Sequence, residues 1–306
     1  MKSLVGYTGF VGSNLAAQAD FDGLYNSKNI AAAYGTKPDL LVYAGVPAAK
    51  FLANKEPPKD LAVIEQAEEN IRRIAPQRLV LVSTVDVFKN PHGVDEDSSV
   101  DVEGLHAYGR NRYALEKWAR EHYPTALIVR LPALFGQNLK KNFLYDFCHP
   151  VPTMLNAAKF AELSQQEKNL AAYYTAEANG FFRLRPLSAQ EDVVLQKIFT
   201  RLNFSSLNFT DSRNVYQFYP LARLWQDVQT ALDNDLKLWH AATEPISAEE
   251  LYRELTGKEF VNEMNATPVR YDFRTKYAAL FGGSDGYVLR KNEVIELVRE
   301  FVECQN

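Results

Sequence analysis

The chain has 306 residues, 46% hydrophobic and 24% charged, which is ordinary for a globular protein with a sizeable core. A formal net charge of -4 gives no electrostatic reason to expect contact with nucleic acid or an anionic membrane. No apolar run reaches the roughly 18 residues that cross a bilayer. Cys148 and Cys304 lie far apart without a CxxC pair, so neither a disulfide framework nor a cysteine zinc site is indicated. The histidines at 92, 106, 122, 149 and 240 show no ligand spacing, and no metal is expected. No cleavage-like site follows the N-terminal residues, so the default setting is reducing and cytoplasmic.

In chain order, apolar Leu4-Val5 runs into Gly6-Tyr7-Thr8-Gly9-Phe10-Val11-Gly12, and residues 13–19 continue as a helix former. Strand, spaced glycines and helix form the layout that sets backbone N–H groups and a helix N-terminus against a pyrophosphate. Gly6 permits the tight turn, Gly9 a close approach of backbone to phosphate, and Gly12 close helix–strand packing. Thr8, Phe10 and Val11 belong to the same candidate cofactor loop. Residues 23–26 read as a second strand, 30–34 as a short helical piece, and 39–44 as a buried strand entering Gly45-Val46. Pro57-Pro58 open a helix with Leu61, Ile64, Ala67 and Ile71 at helical spacing. Residues 78–84 are again apolar strand, 89–104 a polar loop, 108–122 a helix, and 125–130 a strand.

Apolar strands alternating with helices predict an α/β fold, a Rossmann-type doubly wound parallel sheet covered on both faces. Past Gly136 the alternation stops. Residues 137–208 read as mostly helical, 215–219 as strand, and 236–239 as a further strand of the sheet. Residues 247–250 begin a helix with a capping-box pattern, and 291–302 form an amphipathic helix. The expected division is a dinucleotide-binding domain over 1–136, with contributions from about 209–241, and a smaller, mostly helical substrate lobe from 137–208 and 242–306.

Ligands in such sheets bind at the carboxyl ends of the strands. The glycine loop, Ala44-Gly45-Val46 and Ser83-Thr84 fall there, and His106-Ala107-Tyr108-Gly109-Arg110-Asn111-Arg112 follows. Tyr108 and Arg112 are one helical turn apart and share a face. A hydroxyl, a phenol and a cation beside a dinucleotide site suit proton transfer to or from a carbonyl or alcohol oxygen. Lowering a phenol from its usual pKa to about 7 requires roughly 4 kcal/mol of preference for the phenolate, hence the cation. Ser83 reads as a strand-end hydrogen-bonding residue, since no histidine–acid pattern accompanies it. Asn26, Ser27 and Lys28 end the second strand without the carboxylate that selects NAD, which favours NADP while leaving NAD open. Asp86, Lys141, Asn142 and Arg183 are candidate substrate contacts. A solvated or capping carboxylate competes with that role at Asp86, and a surface ion pair at Arg183.

These segments resemble the extended short-chain dehydrogenase/reductase family of NAD(P)-dependent sugar-nucleotide epimerases, dehydratases and reductases. GYTGFVGSNL (6–15) is like its nucleotide loop, LVLVSTVDVF (79–88) its serine/threonine strand, and AYGRNRYALEKWA (107–119) its Tyr-xxx-Lys helix. IVRLPALFG (128–136) and LWHAATEPISAEELYREL (238–255) are like later segments. The short span to the third strand looks most like the dTDP-4-dehydrorhamnose reductase branch. The resemblance implies Thr84 polarising the substrate oxygen, Tyr108 as acid/base, and position 112 holding the ribose. It also implies cofactor contacts at Ser83, Leu131 and Pro132, a nucleotide-sugar substrate, and a homodimer. Arg112 stands where the family has Lys and is no equivalent fork-for-point-charge replacement. The literal Tyr113–Lys117 pair is out of frame, pointing about 140° around the helix. Residues 217–225 lack the family's Asp. An NAD(P)-dependent oxidoreductase or epimerase is therefore expected, the alternative being a cofactor-binding sensor or scaffold that has lost the chemistry.

Overall fold

The computed structural model describes residues 1–305. Two compact units divide the chain: Met1–Leu139, Val215–Ser247 and Val269–Phe301 form the first, and Lys140–Asn214, Ala248–Pro268 and Val302–Asn306 the second.

In the first unit, β1 (Lys2–Val5) leads to α1 (Phe10–Gln18), β2 (Gly23–Tyr25) and β3 (Leu40–Tyr43). Helices α2 (Lys50–Lys55) and α3 (Pro57–Ile74) lead to β4 (Arg78–Thr84). Helix α4 (Ala107–His122) leads to β5 (Leu127–Leu131) and the short β6 (Ala133–Phe135). Strands β3, β4 and β5 each carry a continuous apolar run because both faces of the sheet are covered; Leu41, Val42, Leu79, Val80, Leu127, Ile128 and Val129 are fully buried. Helix α3 begins with prolines, where missing N–H groups cost nothing, and turns off at Ala75 in a left-handed conformation (φ 55). Between those ends Ile64, Ala67, Ile71 and Ile74 form one buried stripe packed against β3 and β4 residues.

The second unit contains α5 (Phe143–Cys148), β7 (Met154–Asn156), α6 (Ala157–Gln166), β8 (Tyr174–Ala176), β9 (Phe181–Leu184) and α7 (Ala189–Arg201). Beside the helices expected of this lobe, β7, β9 and β8 make a three-stranded antiparallel sheet that the sequence reading does not include. Strands of three or four residues are too short to display a period-2 pattern, so the sequence hides them. Leu155, Leu163, Leu170, Leu195, Ile198 and Phe199 form this unit's own core.

The chain then supplies β10 (Val215–Tyr216), β11 (Phe218–Pro220), α8 (Leu224–Asp233), β12 (Leu238–His240) and β13 (Ile246–Ser247) to the first unit, α9 (Ala248–Thr256) to the second, and ends in α10 (Lys291–Glu303). The main sheet is six-stranded and parallel in the order β2-β1-β3-β4-β5-β12. The strand expected near 236–239 thus completes it as β12. Val269–Phe301 belong with the sheet rather than with the lobe to which residues 242–306 were assigned. Phe273 is fully buried, and buried Gln217 holds it: its amide nitrogen donates to the Thr243 and Phe273 carbonyls while its oxygen accepts from the Phe273 N–H. No local sequence pattern announces such a tie.

Candidate functional site

The chain turns to one side of β1 for β2 and to the other for β3, so a crevice opens where the carboxyl ends of β1 and β3 diverge. The glycine loop occupies it. Gly6 has φ +93, and a Cβ there would lie 2.4 Å from the Ala44 carbonyl oxygen; a Cβ on Gly12 would lie 2.0 Å from the Gly6 oxygen. Only glycine lets the loop, the β3 end and α1 come this close. Helix α1 has Gly9 as its N-cap without a side-chain cap. Thr8 and Gly9 are exposed, and Phe10 and Val11 half-buried. The first-turn N–H groups of such a helix have no intrahelical partner and are suited to a phosphate. Beside it the Gly6 N–H donates to the Tyr25 carbonyl at 2.7 Å. The exposed Ser27 and Lys28 therefore follow directly at the end of β2, where the Asn26 side-chain oxygen accepts from the Lys28 N–H. Ala44, Gly45 and Val46 line the β3 end, Gly45 being exposed.

Thr84 ends β4 and Tyr108 begins α4. The helix is held against the turn after β4 because position 109 is glycine: a Cβ there would stand 2.1 Å from the Asp86 carbonyl oxygen. His106 caps α4, its Nδ1 accepting from the Gly109 N–H at 3.0 Å, and the Asn54 side-chain oxygen accepts from the Tyr108 N–H at 2.9 Å. The Thr84 hydroxyl oxygen accepts from the Asp86 N–H at 3.1 Å. Tyr108 is 7% exposed. Burial raises its phenol pKa above the usual value. The Arg112 charge and a hydrogen bond from Thr84 act against that shift, and Asp86 reinforces it.

The terminal nitrogens of Arg112 are engaged within the chain. Nη1 donates to Asp60 on α3, Nη2 donates to the Pro47 carbonyl at 2.7 Å, and the guanidinium carbon lies 3.9 Å from the centre of the Tyr108 ring. Its planar fork reaches both partners at once, which a point-charge ammonium cannot do. The out-of-frame pair sits elsewhere: Lys117 is exposed and Tyr113 half-buried. Ser83 has a partner within the chain. Its hydroxyl donates at 2.6 Å to Glu116, a fully buried carboxylate that accepts from Arg130 Nε and Nη2 as well. Arg130 also meets His240, which burial and that positive charge push down to about 3, so the imidazole is neutral. Leu131 is buried opposite Thr84 in the β4–β5 register, with Pro132 half-buried after it.

Asp86 forms an ion pair with Lys50 at 2.9 Å and accepts from the Tyr271 hydroxyl at 2.8 Å. Burial, then Asp86, raises the Tyr271 phenol pKa. A pocket of about 270 Å³ opens here, lined by Lys50, Asp86, Lys89, His106, Arg270 and Tyr271 among others. Lys141, Asn142 and Arg183 belong to the second unit. There Asn142 caps α5 by accepting from the Tyr145 N–H, and exposed Arg183 pairs with Glu177, the surface role weighed for it. Sequence reasoning missed Lys50, Asp60, His106, Arg270 and Tyr271; only the histidine–glycine cap around Tyr108 offered a local signal. Among the described residues no group of three or more His, Cys, Asp or Glu side chains is placed to hold a metal. No helix there is long and apolar enough to cross a membrane.

Residues 3–160 match the family described as the RmlD substrate binding domain. No curated protein matches the sequence. Among solved structures, the chain is similar to dTDP-4-dehydrorhamnose reductase from Yersinia enterocolitica (TM-score 0.64, 14% identity, covering 100% of this chain and 99% of that one). It is also similar to the Bacillus anthracis dTDP-4-dehydrorhamnose reductase in complex with NADP (TM-score 0.62, 15% identity, 98% and 96% covered). A third similar structure is the UDP-glucose 4-epimerase with UDP-glucose from Thermotoga maritima (TM-score 0.61, 13% identity, 99% and 98% covered). At these identities the likeness is one of fold.

Proposed function

The chain belongs to the RmlD substrate binding domain family, and from that premise we propose that it is an NAD(P)-dependent oxidoreductase or epimerase of a nucleotide-activated sugar or a similar carbonyl substrate. The observation that carries this reading is the buried Tyr108 phenol, with the Arg112 guanidinium carbon 3.9 Å from its ring centre, just after Thr84 and the carboxyl end of β4.

The residues at the crevice fit a dinucleotide: Gly6 and Gly12 let the loop, the β3 end and α1 close on one another without side chains between them, and α1 has no side-chain cap at its N-terminus. Gly6, Thr8, Gly9, Phe10, Val11 and Gly12 would hold the pyrophosphate, with Ala44, Gly45 and Val46 on the β3 side. Asn26, Ser27 and Lys28, which include a cation and no carboxylate, suit the 2′-phosphate of NADP. The cofactor when bound supplies hydride exchange with a substrate carbon.

This chain's part is proton management. A phenol whose pKa is raised by burial is protonated at neutral pH, so Tyr108 is set up as the acid that protonates a carbonyl oxygen during reduction. Thr84 and Arg112 both favour the phenolate left behind, the first through its hydroxyl and the second through the ring face. Tyr108→Phe should lower NADPH-dependent reduction by about 10²–10⁴-fold with NADPH affinity unchanged. In the wild type the rate should stay level through neutral pH and fall only above the ordinary phenol value of 10.0, because the folded value is raised. Undiminished turnover in the Phe variant removes Tyr108 from the chemistry.

A specific observation also favours the second reading, a cofactor-binding protein without turnover. Tyr108 is buried and the Arg112 charge is matched by Asp60, so the phenol gains less than an unpaired cation would give it. Tight NADPH binding with no turnover across a panel of nucleotide sugars would establish that reading.

A further inference from the structure

The pocket beside the Tyr108 corner has a sign. Lys50, Lys89 and Arg270 line it against a single carboxylate, Asp86, in a chain whose overall charge is negative. Asp86 is already matched by Lys50 and by the Tyr271 hydroxyl. The others are available: Lys89 has only a long 3.4 Å contact to the Glu103 carbonyl, and among the described residues exposed Arg270 has no ion-pair partner. His106 adds a neutral donor. Its Nδ1 accepts from the Gly109 N–H, which leaves the proton on Nε2, and burial and the Lys50 charge keep the ring neutral.

Arg270 and Tyr271 reach this place because the Gly93 N–H donates to the Asp272 carbonyl and the Arg274 N–H to the Val94 carbonyl, which binds their segment to the loop after β4. Surplus positive charge in a concave, partly desolvated site attracts and orients an anion.

We propose that this pocket receives a carboxylate borne by the sugar next to the reacting carbon, so that the substrate is a nucleotide-activated acidic sugar. The inference rests on the reading of Tyr108 as the group that faces the reacting oxygen. Asp86 is common to both places: it lines the pocket and its charge acts on the Tyr108 phenol. An anion seated there is therefore close to the reacting oxygen. For a sugar that reacts at carbon 4, the diphosphate is attached at the anomeric carbon across the ring, whereas the carbon 6 carboxylate of a uronic acid is attached to the neighbouring carbon 5.

The test is calorimetric titration of the full-length protein, supplemented with NADP, with UDP-glucuronate, UDP-glucose and UDP, and with the corresponding thymidine compounds. NADPH fluorescence titration is run in parallel. The acidic sugar should bind about tenfold or more tighter than its neutral twin, the more so at low salt. That preference should shrink to about threefold or less in Arg270→Gln and in Lys89→Gln, both at exposed positions, with UDP affinity and the melting temperature unchanged. Equal binding of the two sugars overturns the proposal, as does an equal loss of UDP affinity in the variants, which would assign the cations to the diphosphate. Failure to bind any nucleotide sugar overturns it too. NADPH failing to bind while the carboxylate preference persists would strike the cofactor reading and leave the pocket assignment standing.

Discussion

The glycine turn after β1 and the corner around Tyr108 lie on the same rim of the sheet but are built from opposite materials. The turn is made of backbone. Its shape follows from atoms that are absent, the Cβ groups that would collide at Gly6 and Gly12, and it leads into a helix whose N-cap has no side-chain cap. The corner is made of side chains already matched to one another: Arg112 with Asp60, Asp86 with Lys50 and Tyr271, Ser83 with Glu116, Glu116 with Arg130. A backbone site tolerates change everywhere except at its glycines. A side-chain site inherits the fate of each partner, however distant in sequence.

Breaking the deepest of those pairs should have the largest effect. Glu116→Gln leaves buried Arg130 without its compensating charge and should cost about 3–5 kcal/mol in chemical denaturation. At a temperature where the variant remains folded, NADPH affinity should hold within about twofold, because none of the bonds of Glu116 reaches the glycine turn. A parallel loss of both would mean that the two regions are one cooperative structure.

Gly12→Ala is the complementary break. The new methyl meets the Gly6 oxygen, and relieving that contact by moving α1 should cost about 1–3 kcal/mol, read as up to about a 100-fold loss of NADPH affinity. The Tyr108 corner should keep its alkaline pH limb in any residual activity. Arg112→Lys sharpens the comparison with the smallest change. Losing the bonds to Asp60 and the Pro47 carbonyl should lower stability by about 1–2 kcal/mol, while turnover is held or raised because a shorter point charge is free to act beside the phenol. A sharp fall in turnover would show that the fork itself supports Tyr108.

The amino-acid sequence determined what depends on neighbours along the chain. The apolar strands, the α3 stripe at 64, 67, 71 and 74, the glycine spacing, and the placing of Tyr108 and Arg112 one turn apart are local facts, since helix and strand geometry are periodic in sequence. The late strand at 238–240 was legible for the same reason. Folding alone decided what depends on residues that meet from afar. That Arg112 pairs with Asp60, that Ser83 bonds Glu116, that 269–275 pack with the sheet, and that Lys50, Lys89 and Arg270 surround one pocket are matters of tertiary contact. Charge pairing and shape complementarity act through space, over separations such as the 52 positions between Asp60 and Arg112, and leave no period in the sequence to read.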